Sequence, residues 1–257
     1  MANTTGPDYA LEARGIGKQF GSFWAVKDVH LRIPRGSIHA LIGPNGAGKT
    51  TCFNLLTKTL QPSTGQIILN GEDISGLRTS DVAKRGMVRS FQISAIFADM
   101  TVLENVRVAL QSAHGRAFRF LSPISSIRGL DTRARELLAD VGLADAETAK
   151  AADLSYGKKR ALEIATTLAL DPQVMLLDEP TAGMGHEDIE PITQLIRKVS
   201  AGRTIVIVEH NLSVVSTLSD RITVLQAGQV LMEGTYPEVS ADERVIAAYM
   251  GGVEDAH

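Results

Sequence analysis

One octapeptide near the front of the chain restricts the fold more than any other feature. Gly43-Pro44-Asn45-Gly46-Ala47-Gly48-Lys49-Thr50 fits the pattern G-x-x-x-x-G-K-[ST]. Ser37 to Ile42 before it reads as a buried strand, and Thr50 to Leu60 after it has helical spacing. Strand, loop and helix in that order are the context the pattern requires. Glycines let the backbone curl until its N–H groups point inward at an anion. The helix that follows adds its orphan donors and the positive end of its dipole. Lys49 supplies charge for β- and γ-phosphates, and Thr50 offers a hydroxyl to Mg²⁺. The loop therefore predicts a nucleoside triphosphate site. Kinases, GTPases and motors share such loops, so other residues must decide the chemistry.

Two further apolar runs end in polar residues. Val174 to Leu177 leads into Asp178 and Glu179, with Pro180 as a stop. Beside a phosphate loop, a carboxylate at the end of a neighbouring strand reaches the Mg²⁺ shell, which is the expected task of Asp178. Glu179 is then placed to polarise a water attacking the γ-phosphate. Ile205 to Val208 leads into Glu209 and His210, and a histidine there can contact the γ-phosphate or position the water. Leu154-Ser155-Tyr156-Gly157-Lys158-Lys159-Arg160 opens a helix. Ser155 is a good N-cap, and Ala161, Leu162, Ile164, Ala165, Leu168 and Ala169 give the apolar face. An exposed Ser and Gly at a helix start also make an anion site.

The rest of the chain reads as α/β. Between Leu11 and Gly43 strands are broken by turns at Gly21-Ser22 and Pro34-Arg35-Gly36. Gln66 to Leu69 before Asn70-Gly71 signals a hairpin, and Ile222–Leu225 and Gln229–Met232 flank a second at Ala227-Gly228. Residues 92 to about 165 read as mostly helical, with a loop near 112–130, and a short helix over 242–250 closes the chain. The 257 residues carry 26 Lys and Arg against 29 Asp and Glu, a net charge of −3. A dedicated nucleic-acid binder is usually basic, so no nucleic-acid partner is expected. The single cysteine, Cys52, excludes an internal disulfide framework and a Cys-cluster zinc site. Apolar runs of only a few residues fall far short of the roughly 20 needed to span a bilayer. The opening residues have neither the basic nor the apolar region of a secretory signal.

The motifs, taken together, carry a family resemblance. The phosphate loop at 43–50, Phe91-Gln92, Leu154-Ser155-Tyr156-Gly157, the acidic strand end at 174–179 and His210 occur in the order seen in ABC ATPases. Over about residues 11–250 the chain resembles an ABC transporter nucleotide-binding subunit. It is most similar to the first type of ATPase in the branched-chain (hydrophobic) amino acid uptake systems. His39-Ala40-Leu41-Ile42, Arg89-Ser90, Leu103-Glu104-Asn105-Val106 and Glu179-Pro180-Thr181-Ala182-Gly183-Met184 also carry the likeness. The resemblance implies a P-loop NTPase (RecA-like) core with an N-terminal antiparallel β subdomain and an inserted helical subdomain. Its expected divisions are core and β subdomain at 11–91 and 165–236, helical subdomain at 92–164, and C-terminal helix at 240–250.

The resemblance also implies the site. Phe20 would stack on adenine, with Val26 flanking the base. Asn45, Gly46, Ala47, Gly48, Lys49, Thr50 and Thr51 would hold the phosphates of ATP. Gln92, like Thr50 and Asp178, would touch Mg²⁺, and it would also sense the membrane partner. Glu179 would be the catalytic base and His210 the switch. Ser155 and Gly157 would bind the γ-phosphate of ATP held by a second ATPase subunit, head to tail. Three positions depart from the family pattern. Tyr156 replaces the commoner second glycine, Lys158 and Lys159 stand where glutamines are usual, and Gly185 stands where many members have aspartate. Cations at a helix start oppose its dipole, so the two lysines need compensation.

Residues 93–106 would form the groove for a coupling helix of two multi-span permeases, in part through Ile93, Ile96, Phe97, Met100, Val102, Leu103 and Val106. Some of these side chains are equally readable as core. The stretch 111–130 holds Arg116, Phe118, Arg119, Phe120 and Arg128 and no acid, which suits either anionic headgroups or a solvated loop. The reading is a peripheral ATPase on the cytoplasmic face of a bacterial inner membrane, linked through the permeases to a solute-binding protein. Importers of urea, amides or aromatic acids and exporters of lipid type share these motifs. Soluble ABC ATPases of repair or translation usually carry a long coiled coil or a second cassette, for which 257 residues leave no room.

Overall fold

The computed structural model describes residues 8–90, 96–113 and 124–251. The chain divides into two compact units, the first of residues up to 87, 173–180 and 196 onward, the second of 88–172 and 181–195.

The first unit is built on two sheets. In one, β1 (Tyr9–Phe20) lies between β2 (Phe23–Pro34) and β4 (Thr64–Leu69), and β5 (Glu72–Asp73) completes the order β2-β1-β4-β5. All its pairings are antiparallel, with Glu12 opposite both Arg32 and Ile68. Gly21-Ser22 and Asn70-Gly71 make the expected turns. The second sheet has the order β10-β9-β3-β8-β7-β6. Its strands are β3 (Ile38–Ile42), β6 (Met87–Arg89), β7 (Val174–Asp178), β8 (Thr204–Val208), β9 (Arg221–Gln226) and β10 (Gln229–Gly234). β7, β8, β3 and β9 run parallel, whereas β10 returns antiparallel. β3 and β8 are buried along their whole length, which is why they read as unbroken apolar runs. Phe53 and Leu56 of α1 (Lys49–Leu56) join Leu11, Ile16, Val29, Leu176 and Val206 in one core.

Parallel register decides where the site lies. Leu41 and Asp178 both pair with Val208, so β3, β7 and β8 end at one edge of the sheet. The residues that follow, beginning at Gly43, Glu179 and Glu209, leave from that edge. Ligands of open α/β sheets sit outside these carboxyl ends.

Helix α1 stops at Leu56 instead of continuing to Leu60. Lys58 has φ +59°, and its ammonium donates to Ser75 O at 2.5 Å and Gln61 Oε1 at 2.8 Å. Local helical spacing lost to these longer-range bonds. The unit also holds α2 (Thr79–Ala83), α7 (Leu212–Leu218), α8 (Tyr236–Ala241) and α9 (Glu243–Gly251). Of these only α9 was expected; α8 starts at a reciprocal capping box of Thr235 and Glu238, a signature present in the sequence.

The second unit is helical. α3 (Val102–Ala113), α4 (Ile124–Asp140) and α5 (Tyr156–Leu168) pack on one another, burying Val102, Val106, Leu137, Leu138, Leu162 and Ile164. α4 begins inside the stretch expected to be loop. α3 is opened by Thr101 and Glu104, each side chain accepting from the other's backbone N–H, at 3.2 and 2.8 Å. Buried Asn105 clamps the preceding turn, accepting from Phe97 N–H and donating to Phe97 O and Thr101 O. This unit takes in the first turns of α6 (His186–Val199) and extends to Pro172, a wider span than the 92–164 expected for the helical part.

Candidate functional site

The phosphate loop is held open by backbone, not side chains. Gly46 and Gly48 have φ +75° and +95°, conformations costly for any residue with a Cβ. A Cβ on Gly48 would also meet Ala25 O at 2.6 Å. Gly48 caps α1 without any side-chain bond, so the helix start keeps its donors for an anion. Asn45, Gly46 and Thr50 are exposed, and Gly48, Lys49 and Thr51 half-buried. The Lys49 ammonium donates to the loop's own carbonyls, Gly43 O at 2.7 Å and Pro44 O at 2.9 Å. Burial pulls its pKa below the ordinary lysine value, and the charge of Glu179 opposes that fall. That coupling ties the loop electrostatically to the acidic strand end.

Two of the residues expected at the nucleotide turn their side chains into the core. Val26 is wholly buried and lies behind Gly48, 3.5 Å from the place a Cβ would take there. It supports the loop and offers no surface to a base. Ala47 likewise buries its methyl in the core, and its N–H is spent on Pro44 O at 3.2 Å. Phe20, by contrast, is 51% exposed at the hairpin tip, with the Lys18 ammonium 5.4 Å from its ring centre.

The acidic end and the histidine meet. Glu179 follows β7 with φ +43°, a left-handed conformation rare outside glycine. Its N–H donates to Val208 O at 2.9 Å. Its carboxylate lies 3.7 Å from His210 Nδ1, and both side chains are open to solvent. Asp178, half-buried at the last position of β7, precedes it.

Glu209 was missed by sequence reasoning. It is fully buried, and its carboxylate accepts from the N–H groups of His210 and Asn211 at 3.0 and 3.2 Å. A charged residue closing a buried strand was the available signal. A second missed residue is Tyr249 of α9. Its hydroxyl is buried against the backbone of Gly43 and completes no hydrogen bond of ordinary geometry. Burial raises its pKa, and the Gly43 amide opposes the rise.

The second unit presents a different helix start. Ser155 caps α5, accepting from Lys158 N–H at 3.4 Å. Tyr156 is exposed, yet its hydroxyl donates to Ala182 O at 2.9 Å. Gly157 is buried; a Cβ there would meet Asp188 Oδ1 at 2.6 Å. Asp188 thus supplies negative charge at the start of α5, the compensation that Lys158 and Lys159 call for. Further along, buried Arg160 and Glu163 form an ion pair at 2.5 Å, and Ser90 also bonds Glu163. Burial nevertheless raises the Glu163 pKa.

Gln92 and Ile93 lie outside the described residues, as do Arg116, Phe118, Arg119 and Phe120. Of the expected coupling surface, Val102 and Val106 are core, whereas Phe97 and Met100 are exposed. No helix among the described residues is long and apolar enough to cross a membrane.

Residues 26–182 match the ABC transporter family model. The chain belongs to the ABC transporter family. Residues 229–255 of the cassette match a second model, that of the branched-chain amino acid ATP-binding cassette transporter. The cassette is 36% identical over 250 residues to the high-affinity branched-chain amino acid transport ATP-binding protein BraF of Pseudomonas aeruginosa, covering 94% of this chain and 97% of BraF. It is 37% identical over 248 residues to LivG of Escherichia coli, of the same description, with the same coverage. Among solved structures it resembles the ADP conformation of MJ1267, an ATP-binding cassette of an ABC transporter. There the TM-score is 0.82 and identity 27%, over 95% of this chain and 99% of that one. The dimeric structure of the bacterial ABC transporter cassette MJ0796 matches with a TM-score of 0.73 and 27% identity, over 88% and 98%. As a member of this family the cassette is an ATPase, and its mixed sheets with surrounding helices have the expected P-loop fold.

Proposed function

We propose that this cassette hydrolyses ATP to energise a membrane importer of branched-chain or other hydrophobic amino acids. The meeting of Lys49, Glu179 and His210 in one unit carries the chemistry. The cargo follows from BraF, LivG and the match over residues 229–255.

Asn45, Gly46, Gly48, Lys49, Thr50 and Thr51 hold the phosphates, and Phe20 stacks on the base. Lys49 exchanges its bonds to Gly43 O and Pro44 O for phosphate oxygens, which are stronger acceptors because they are charged. Thr50, Asp178 and Gln92 would hold Mg²⁺, a hard cation that accepts such oxygen donors, and the ion screens phosphate charge when bound. Glu179 takes the proton of the attacking water, and His210 orients at its carboxylate. A second ATPase subunit, packed head to tail, receives Ser155 and Gly157 on its own nucleotide. ATP binds the closed pair better than the open one, so binding shifts the population toward closure. The exposed part of 96–106 passes that motion to two permeases at the cytoplasmic face of a bacterial inner membrane, which a solute-binding protein supplies.

The test is uptake in source cells carrying Lys49→Ala in the chromosomal copy. Labelled leucine and isoleucine uptake should collapse while urea and aromatic-acid uptake persists. Loss of urea or aromatic-acid uptake alone would move the cargo, and an export defect with normal uptake would overturn import.

A further inference from the structure

The hairpin of β1 and β2 ends in two aromatic residues that the core leaves outside. Phe20 and Phe23 pair across the Gly21-Ser22 turn and are 51% and 67% exposed. An exposed ring is ordinarily free to change rotamer, and holding it still costs entropy. The Lys18 ammonium stands over Phe20, 5.4 Å from the ring centre. That ammonium is itself anchored. It donates to Gln61 O at 3.0 Å, and the side chain of the same Gln61 accepts from buried Lys58 at 2.8 Å.

Two more bonds stitch this stretch to the hairpin. Ser63 N–H donates to Gly17 O at 2.8 Å, and Gln19 N–H donates to Ser63 Oγ at 3.2 Å. Gln61 and Ser63 lie on the exit from α1, whose start carries the phosphate loop. Lys18 pairs with Val26, the residue behind Gly48 of that loop. Ring, ammonium and loop are therefore tied together within the first unit.

A cation on one face of an aromatic ring has two consequences. The negative π-face attracts it, which fixes the ring. The cation also draws electron density to its own side, so the opposite face repels a second π-system less. A purine laid on that outer face meets a ring already ordered.

We propose that Lys18 is a positioning residue for the nucleotide base: anchored on Gln61, it holds the Phe20 ring from one side and strengthens the stacking of a purine on the other. This role rests on the reading of Phe20 as the platform for the base. At the strength of an exposed cation–π contact, loss of the charge should weaken ATP binding about two- to fivefold. A ligand with phosphates and no base should bind as before.

The experiment is calorimetric titration of the full chain with ATP and with inorganic tripolyphosphate, both in EDTA so that neither is turned over. Lys18→Gln should weaken ATP as stated and leave tripolyphosphate unchanged, which also reports an intact phosphate loop. Lys18→Arg, which keeps the cation, should restore the affinity for ATP. Phe20→Leu should weaken ATP by more than Lys18→Gln does. Adding Lys18→Gln to Phe20→Leu should change nothing further, because Lys18 acts only through the ring. Wild-type ATP affinity in Lys18→Gln, with a loss in Phe20→Leu, overturns the proposal and leaves the platform standing. So does an equal loss for tripolyphosphate, which makes Lys18 a general attractor of phosphate, or an equal loss in the Phe20→Leu background. Wild-type ATP affinity in Phe20→Leu overturns the platform and this proposal together.

Discussion

Two helix starts in this molecule answer the same physical problem in opposite ways. At α1 the cap is Gly48, no side chain closes the helix, and a lysine ammonium waits on nearby carbonyls. At α5 the Ser155 hydroxyl already accepts from the helix backbone, the Asp188 carboxylate lies beside Gly157 in the first turn, and Tyr156 is already bonded. The first start has unspent donors and will take an anion by itself. The second is satisfied internally, so an incoming phosphate must displace a partner. That difference fits a site where one surface captures nucleotide and another joins only when a second subunit is brought up.

The sharpest break of that comparison is chemical. Glu179→Gln should slow phosphate release by roughly 10²–10⁴, the scale of a general base, while ATP still binds; unchanged turnover removes Glu179 from the role. Next comes a pH effect confined to the first unit. His39 on β3 is buried, its Nε2 lies 2.8 Å from Thr223 Oγ1, and burial with the nearby charge of Arg221 lowers its pKa to about 4. The unfolded chain takes up this proton near pH 6.5, the folded one only near 4. Between those values the unfolded state binds more protons, so stability falls as pH drops. The loss is on the order of 3 kcal/mol by pH 4. Urea unfolding of wild type and His39→Gln at pH 7 and 4.5 checks it: the wild type should lose more, and parallel losses refute it.

A third measurement sets the two helix starts directly against each other. Lys49→Ala should weaken ATP binding by the single subunit about 10- to 100-fold, the worth of a charged hydrogen bond. Ser155→Ala should leave that affinity alone and lower only hydrolysis. Equal affinity losses in titrations with a fluorescent ATP analogue would erase the distinction. The smallest effect is expected at Tyr249. Removing its hydroxyl with Phe should raise KM for ATP about two- to fivefold through the Gly43 contact, and an unchanged KM would reduce Tyr249 to packing.

The sequence carried unequal amounts of this picture. The loop, the buried strands before Glu179 and His210, and both hairpins were legible because each is a local pattern: period, turn residues and a polar stop. α6 and α7 were passed over, although α7 starts with an ordinary cap from Asn211. The burial of the Val26 and Ala47 side chains was not legible, because proximity to a ligand loop in sequence does not say which side of the loop a side chain occupies. Glu209 was passed over although its bonds to His210 and Asn211 are local, whereas Tyr249 and the Tyr156–Ala182 bond joined residues whose pairing depends on the course of the whole chain.

The sequence alone determined which turns can exist, since only Gly46 and Gly48 adopt their φ values cheaply, and which strand ends carry acid or imidazole. The tertiary structure decided what those ends meet. Parallel register brings Gly43, Glu179 and Glu209 to one sheet edge, and the packing of residues 181–195 against α5 puts Ala182 under the Tyr156 hydroxyl. Local preference acts over a few residues, whereas register and packing are settled by burial summed over the entire core.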